Sequence, residues 1–277
     1  MKNFISLLII LLLGISAQSQ DHKWYYNYNT GISETGNDIA YGDNGLVYIA
    51  GLMDDDIDYD IVVIALDKAG NQQWVYVYEG QQDKAMEVSE IHYGTDGNLY
   101  ICGFSENVEG NDKYLVFSLT SGGSFRWEYI YDNIGDYASK AYSVEYGGNG
   151  LVYAAGEANY DFLVTAINSG TGAQEWIYWF DGACPYSLCD DMASSVVTGI
   201  DGNVFAAGYT YNSSEKQLVI VSLTALGNLN WKYTHPSFGV GYSVATDLVF
   251  GNDGRIYASC VIGSDIGAIC LNAAGEF

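Results

Sequence analysis

Apolar and polar positions along this chain repeat in the same order five times. Each unit opens with an alternating stretch that carries one aliphatic residue in a fixed place, at Ile39, Ile91, Val144, Val196 and Leu248. A short turn follows, YGDNG, YGTDG, YGGNG, TGIDG or FGNDG, and then a second stretch with an aromatic at Tyr48, Tyr100, Tyr153, Phe205 and Tyr257. Alternation of this kind marks a half-buried strand, and two such runs around a glycine-containing turn read as a hairpin. The Asn-Gly or Asp-Gly pair in every turn predicts a type I′ geometry, with φ > 0 at both central residues.

The third stretch of each unit is almost continuously apolar: DIVVIALD (60–67), YLVFSLT (114–120), DFLVTAIN (161–168), QLVIVSLT (217–224) and DIGAICLN (265–272). A strand this apolar must be covered on both faces. A glycine turn then leads to a tryptophan and a tyrosine-rich fourth strand, at Trp74, Trp127, Trp176 and Trp231, with Trp24 opening an equivalent run near the start. The turn glycines Gly45, Gly97, Gly150, Gly202 and Gly254 are spaced 52, 53, 52 and 52 residues apart. Four antiparallel strands in a repeat of this length are the content of one propeller blade. The expected fold is therefore an all-β propeller of five four-stranded blades, filling residues 20–277 as one domain. The last repeat reaches Phe277 before any tryptophan, and WYYNY from Trp24 has no blade of its own. The N-terminal strand is accordingly expected to complete the last blade and close the ring, which removes an open sheet edge; the competing reading is a fragment of a longer propeller with further blades.

The pattern W-x-Y-x-Y, an Asp-x-Ala near the next strand (Asp83-Lys84-Ala85, Asp136-Tyr137-Ala138), G-x-D-G-N-L-Y-I-x-G and an Asp-led apolar strand resembles the bacterial β-propeller repeat family of secreted proteins. The resemblance spans the chain beyond its leader and implies a secreted or surface-attached propeller, generally without an assigned reaction. Residues Ala166 to Trp176 (AINSGTGAQEW) are also similar to the tryptophan-docking motif of quinoprotein-like propellers. The other copies lack its Thr-Gly pair, so this similarity is partial and implies shared packing chemistry, a Trp wedged between neighbouring blades.

Composition changes the picture in two ways. Residues 1–19 carry one lysine, an apolar run from Phe4 to Ile15 and small residues after it, which is a secretory signal peptide. The run is short for a membrane span, and no other segment is apolar enough to insert. The expected location is secreted, extracellular or at the cell surface, with the periplasm as an alternative. The second change is charge: 34 acidic against 10 basic residues give a formal net charge of −24. Such a field repels nucleic acid and anionic lipid, leaving cations, basic proteins and neutral sugars as partners of what is expected to be a monomer.

Candidate chemistry lies on the loops that vary in length, because the turns between first and second strands are nearly constant. Tyr59, Tyr160, Tyr209 and Tyr211 are candidates to stack on a sugar or pack on a protein; the competing reading makes most tyrosines filler between blades. Asp54, Asp56 and Asp58, spaced by two, offer oxygen ligands for Ca²⁺, although no turn glycine and no bidentate Glu complete an EF-hand. In an exported chain Cys184 and Cys189 are placed to form a disulfide. Cys260 and Cys270 lie on the two strands of one hairpin, either paired or buried singly, and Cys102 takes a position held by Ala50, Ala155 and Ala207 elsewhere, which predicts a buried thiol. His22, His92 and His235 show no metal-ligand spacing. The expected function is an exported binding or structural scaffold for protein or glycan, with no reaction of its own. The alternative is a glycosidase-like enzyme using Asp38, Glu90 and Asp247, which share one register in the first strands of three blades.

Overall fold

A computed structural model describes residues 23–54, 59–80, 85–131, 138–182, 190–212, 215–235 and 241–277. The expected signal peptide lies outside the described residues. Among those residues there are nineteen strands and no helix, so no helix is long and apolar enough to cross a membrane. Blade 1 contains β1 (Glu34–Tyr41), β2 (Val47–Asp54), β3 (Tyr59–Leu66) and β4 (Gln72–Tyr78). Blade 2 contains β5 (Met86–Tyr93), β6 (Asn98–Glu106), β7 (Asp112–Thr120) and β8 (Phe125–Tyr131). Blade 3 has β9 (Ser139–Tyr146), β10 (Leu151–Ala158), β11 (Asp161–Asn168) and β12 (Gln174–Phe180). Blade 4 has β13 (Met192–Thr198), β14 (Val204–Asn212), β15 (Glu215–Leu223) and β16 (Leu229–His235). Blade 5 has β17 (Ser243–Phe250), β18 (Arg255–Ile262) and β19 (Asp265–Asn272). Each blade is an antiparallel sheet with strands in chain order.

The second and third strands are buried on both faces because neighbouring blades sandwich them. Between blades 1 and 2, Tyr48, Ala50, Ile61, Val63 and Ala65 meet Ile91, Leu99, Ile101, Leu115 and Phe117 in one cluster. The recurring aromatics stack across these boundaries, Tyr48 on Tyr93 at 5.7 Å, Tyr100 on Tyr146 at 5.6 Å and Phe205 on Phe250 at 5.6 Å. The competing, packing role of the tyrosines therefore holds for Tyr48, Tyr100 and Tyr153, all fully buried.

Each fourth-strand tryptophan docks on the following blade. Trp74 Nε1 donates to Ser121 O (3.0 Å), Trp127 to Ser169 O (2.8 Å), Trp176 to Ala225 O (2.9 Å) and Trp231 to Ala273 O (2.9 Å). The indole rings lie against Gly123, Gly172, Gly227 and Gly275, all at positive φ. A Cβ at Gly123 would come within 2.7 Å of the Trp74 ring, so this glycine supplies both the left-handed turn and the space for the indole.

Two expectations change. In the turns between first and second strands of blades 1, 2, 4 and 5 only the final glycine is left-handed, whereas in blade 3 Gly148 (φ 72°) is left-handed as well as Gly150 (φ 85°). Gly45 has φ 81°, Asn44 is not among the positive-φ residues, and Gly45 N donates back to Gly42 O (2.9 Å). This is a type I turn ending in a left-handed glycine, not type I′. The Asn or Asp acts through its side chain: Asn44 Oδ1 accepts from Leu46 N (3.0 Å), as Asp96 Oδ1 does from Asn98 N (3.2 Å). The second change concerns closure. Blade 5 has three strands among the described residues: Trp24, Tyr26 and Tyr28 pack on Val62, Ile64 and Leu66 of blade 1, where a fourth strand of blade 5 would lie in a closed ring, but they form no strand pairing with β19. β1 packs on β5, β5 on β9, β9 on β13 and β13 on β17, but no corresponding packing joins β17 to β1.

Candidate functional site

Asp38, Glu90 and Asp247 belong to a chain of hydrogen bonds that staples the first strands together. Asp38 Oδ2 accepts from Ile91 N in the next blade (2.8 Å), and Glu90 Oε2 accepts from Val144 N (2.8 Å). Ser143 Oγ accepts from Val196 N (3.1 Å) and Ser195 Oγ from Leu248 N (3.1 Å), so serine does in blades 3 and 4 what a carboxylate does in blades 1 and 2. Asp247 accepts from Ser195 Oγ (2.9 Å) and from Leu248 N (2.8 Å). Burial pushes the Glu90 carboxyl up to about 7 against the pull of its hydrogen bonds, and the charges of Asp38 and Asp247 add to the rise. The structure thus brings Asp38 and Asp247 within electrostatic reach of Glu90, in a packing role that the shared register alone did not reveal.

The loop end of blades 3 and 4 holds a second constellation. β10 and β11 are joined by the two residues Asn159 and Tyr160, both left-handed at φ 56° and 68°. This is the I′ geometry, built without glycine, and a left-handed Tyr is a strained conformation. Asp191 ties the neighbourhood together. Its N–H donates to Tyr160 O (2.6 Å), and its carboxylate accepts from Tyr211 N (2.7 Å) and from Gly182 N. Carboxylate oxygens of Asp161, Asp181 and Asp191 converge within 4.8 Å. Burial raises the Asp161 carboxyl to about 6, helped by the charges of Asp181 and Asp191, and burial also raises Asp191. No ion pair among the described residues reaches these three.

Beside them lies an aromatic and charged strip. Lys216 Nζ sits over the Tyr209 ring (3.9 Å) and the Tyr211 ring (5.3 Å) while pairing with Asp190 (3.2 Å), which also accepts from Tyr209 Oη. Tyr142 Oη donates to Glu157 Oε1 (2.7 Å), and Lys140 lies 4.2 Å from the Phe104 ring centre and 3.0 Å from Asp112. The rings and carboxylates of this strip thus already hold the chain's own Lys216 and Lys140 ammonium groups.

Of the tyrosines singled out from sequence, Tyr160 and Tyr211 both meet Asp191, but through their backbones, Tyr160 O and Tyr211 N. Tyr209 is buried and committed to Asp190 and Lys216, so its ring does not serve as an open stacking platform. Tyr59 stands apart at the start of β3, exposed and paired with Asp54. Of the proposed Ca²⁺ ligands only Asp54 is described, at the end of β2; Asp56 and Asp58 lie outside the described residues, as do Cys184 and Cys189. Cys102, Cys260 and Cys270 are free thiols, since Cys260 faces Gly267 and Cys270 faces Tyr257 across the hairpin. Sequence reasoning missed the joining of Asp161, Asp181 and Asp191. The available signal was the aspartate that leads the third strand in blades 1, 3 and 5 (Asp60, Asp161 and Asp265).

No protein-family model matches the chain, and no curated protein matches it. The fold does match solved structures. Quinohemoprotein alcohol dehydrogenase from Comamonas testosteroni is 13% identical, with a TM-score of 0.53 over 88% of this chain and 46% of that one. The Hadza microbial sialidase Hz136 is 9% identical, with a TM-score of 0.54 over 87% and 52%. The Dos1 propeller is 11% identical, with a TM-score of 0.50 over 87% and 70%. The chain thus spans about half the length of the first two. At these identities the likeness shows the fold, a β-propeller. It also corrects the expectation that the chain has no reaction of its own. The similar structures include those two enzymes, a europium-containing methanol dehydrogenase and a puromycin hydrolase, so this architecture gives no ground for setting catalysis aside.

Proposed function

We propose that the chain is an exported β-propeller domain that binds a basic segment of a partner protein at the loop end of blades 3 and 4. The observation that carries this reading is the convergence of the Asp161, Asp181 and Asp191 carboxylates within 4.8 Å, held in place by the backbone bonds that tie Asp191 to Tyr160 and Tyr211. Net charge adds to it, since a field of this sign raises the encounter rate with cationic groups. Calorimetric titration with a lysine-rich peptide tests it, with CaCl₂ as a second titrant. The peptide is expected to bind the wild type and to lose most of its heat in the Asp161→Asn/Asp181→Asn variant, which keeps Asp191 in place. Binding is expected to weaken as pH falls through about 6, where the Asp161 carboxyl takes up its proton. Equal heats in wild type and variant would end this reading, and heat from Ca²⁺ alone would turn the site into a metal site.

One observation favours a second reading. Glu90, raised to about 7 beside Asp38 and Asp247, has the proton affinity of a general acid at neutral pH, as a carbohydrate-active enzyme needs. A glycan-hydrolysis screen with turnover lost in both Asp38→Asn and Glu90→Gln supports it; no turnover on any glycan removes it.

A further inference from the structure

The blade boundary is built four times inside the chain, and its two halves are left uncovered at the two ends of the blade series. On the forward face, the register position held by Ile61, Tyr114, Phe162 and Leu218 is 0% exposed, whereas its fifth member, Ile266, is 97% exposed. On the receiving face, Ile91, Val144, Val196 and Leu248 are 1–3% exposed, whereas Ile39 is 62% exposed. The aromatic pair that stacks across the boundary is Tyr48 on Tyr93 between blades 1 and 2. Its counterparts at the ends, Tyr257 and Tyr41, are both exposed. The backbone staple has no member from Asp247 to Ile39 either, because Asp247 bonds to Ser195 and Leu248 instead. Four blade-to-blade steps do not bring β17 onto β1 in the way that β13 packs on β17.

Part of the missing boundary is already assembled on blade 1. Trp24, Tyr26 and Tyr28 lie there as Trp74, Tyr76 and Tyr78 lie on blade 2, and Trp24 Nε1 donates to Lys68 O at 3.0 Å, the same link that Trp74 makes to Ser121 O. Behind this segment is a cavity of about 280 Å³ lined by Tyr26, Tyr28, Ile49, Gly51, Val62 and Ile64. Ile49, Val62 and Ile64 correspond to Ile101, Leu115 and Phe117, which in blade 2 are covered by Ala50, Ile61 and Val63 of blade 1. The cavity is therefore the place of the preceding blade's second and third strands.

We propose that blade 5 of one copy of this chain docks on blade 1 of a second copy, head to tail. The β19 edge would then pair antiparallel with the second copy's residues 24–28. The internal register Ile61–Tyr78, Val63–Tyr76 and Ala65–Trp74 sets Ile266 opposite Tyr28, Ala268 opposite Tyr26 and Cys270 opposite Trp24. The occupant is a copy of this chain because the surface that fits blade 5 is the one the chain itself builds at every internal boundary, and its own blade 1 does not reach it. Contacts of this kind are heterologous, so they leave one free face at each end and continue to add copies. A net charge of −24 per chain opposes the association, so salt should strengthen it.

Sedimentation velocity on the purified full chain tests the proposal. Wild type is expected to gain mass with protein concentration and with added NaCl. Ile266→Asp and Ile39→Asp change exposed positions, so each is expected to keep its far-UV spectrum and to run as a monomer. An equimolar mixture of the two is expected to form dimers and nothing larger, since one intact forward face meets one intact receiving face. Either single variant associating like wild type would overturn the proposal. So would a wild type that is monomeric at every concentration; if its melting temperature also drops in Ile266→Asp, blade 1 of the same chain covers that face.

Discussion

Replacing Glu90 by Gln removes a titrating group while keeping an acceptor for Val144 N, and this makes the first-strand staple measurable. The carboxyl rises from 4.5 to about 7 on folding, chiefly because it is taken out of water, with Asp38 and Asp247 opposing its charge. The unfolded chain therefore releases this proton first. Between these two pH values the folded state holds more protons than the unfolded state, so stability falls as pH rises and levels off above the folded value. At about 1.4 kcal/mol per pH unit, the interval corresponds to about 3 kcal/mol that wild type loses and Glu90→Gln does not. The assay is urea unfolding followed by tryptophan fluorescence, for both proteins, in steps from about pH 4 to about pH 8. Taking the variant-minus-wild-type difference at each pH cancels the titration of every group that the substitution leaves unaltered. The variant should gain about 3 kcal/mol relative to wild type across the range. A difference that stays flat with pH would refute the claim that Glu90 is held neutral by its surroundings.

Trp127→Ala, which removes a buried indole and its bond to Ser169 O, is expected to cost about 3–5 kcal/mol in the same assay, and a cost below that of an ordinary surface change would count against tryptophan docking. Gly123→Ala should lower stability by at least about 1 kcal/mol, because a left-handed alanine is strained and its Cβ meets the Trp74 ring; an unchanged urea midpoint would show that the turn relaxes. Tyr160→Gly relieves a left-handed Tyr and is expected to raise stability by about 1 kcal/mol while weakening binding of the lysine-rich peptide, a pairing that denaturation and calorimetry on one preparation can check. Cys102 is fully buried and its thiol is pushed well up by burial, so a thiol reagent should leave it unmodified in the native protein while reaching the partly exposed Cys270, as peptide mapping would show.

The elements legible in the sequence are those set by local chemistry. A glycine every 52 or 53 residues, an aliphatic before it, an aromatic after it and a tryptophan beyond the third strand each answer to a demand made within one hairpin or one blade boundary. The turn type differs from the expectation because Asn-Gly satisfies two geometries, and the bond that Leu46 N donates to Asn44 Oδ1, visible only in three dimensions, selects between them. Tyr160 carried no turn signal, since its left-handed conformation is imposed by the pairing of Ala158 with Asp161. Asp161, Asp181 and Asp191 are joined by the approach of two neighbouring blades, which no spacing along the chain encodes. The opening between blades 5 and 1 escaped for a related reason: complementary ends can be read from residues, but the angle between successive blades is a sum of packing details.

The tryptophan link also bears on how such a chain grows. Trp74 is covalently part of one repeat but is housed by the next, as are Trp127, Trp176 and Trp231. The unit copied in the gene and the unit buried in the core are thus staggered by one strand. Duplicating or deleting any whole period leaves a matched indole and glycine at the new junction, wherever the cut falls. Lineages carrying this repeat can change their number of blades in a single recombination event without having to evolve a new interface.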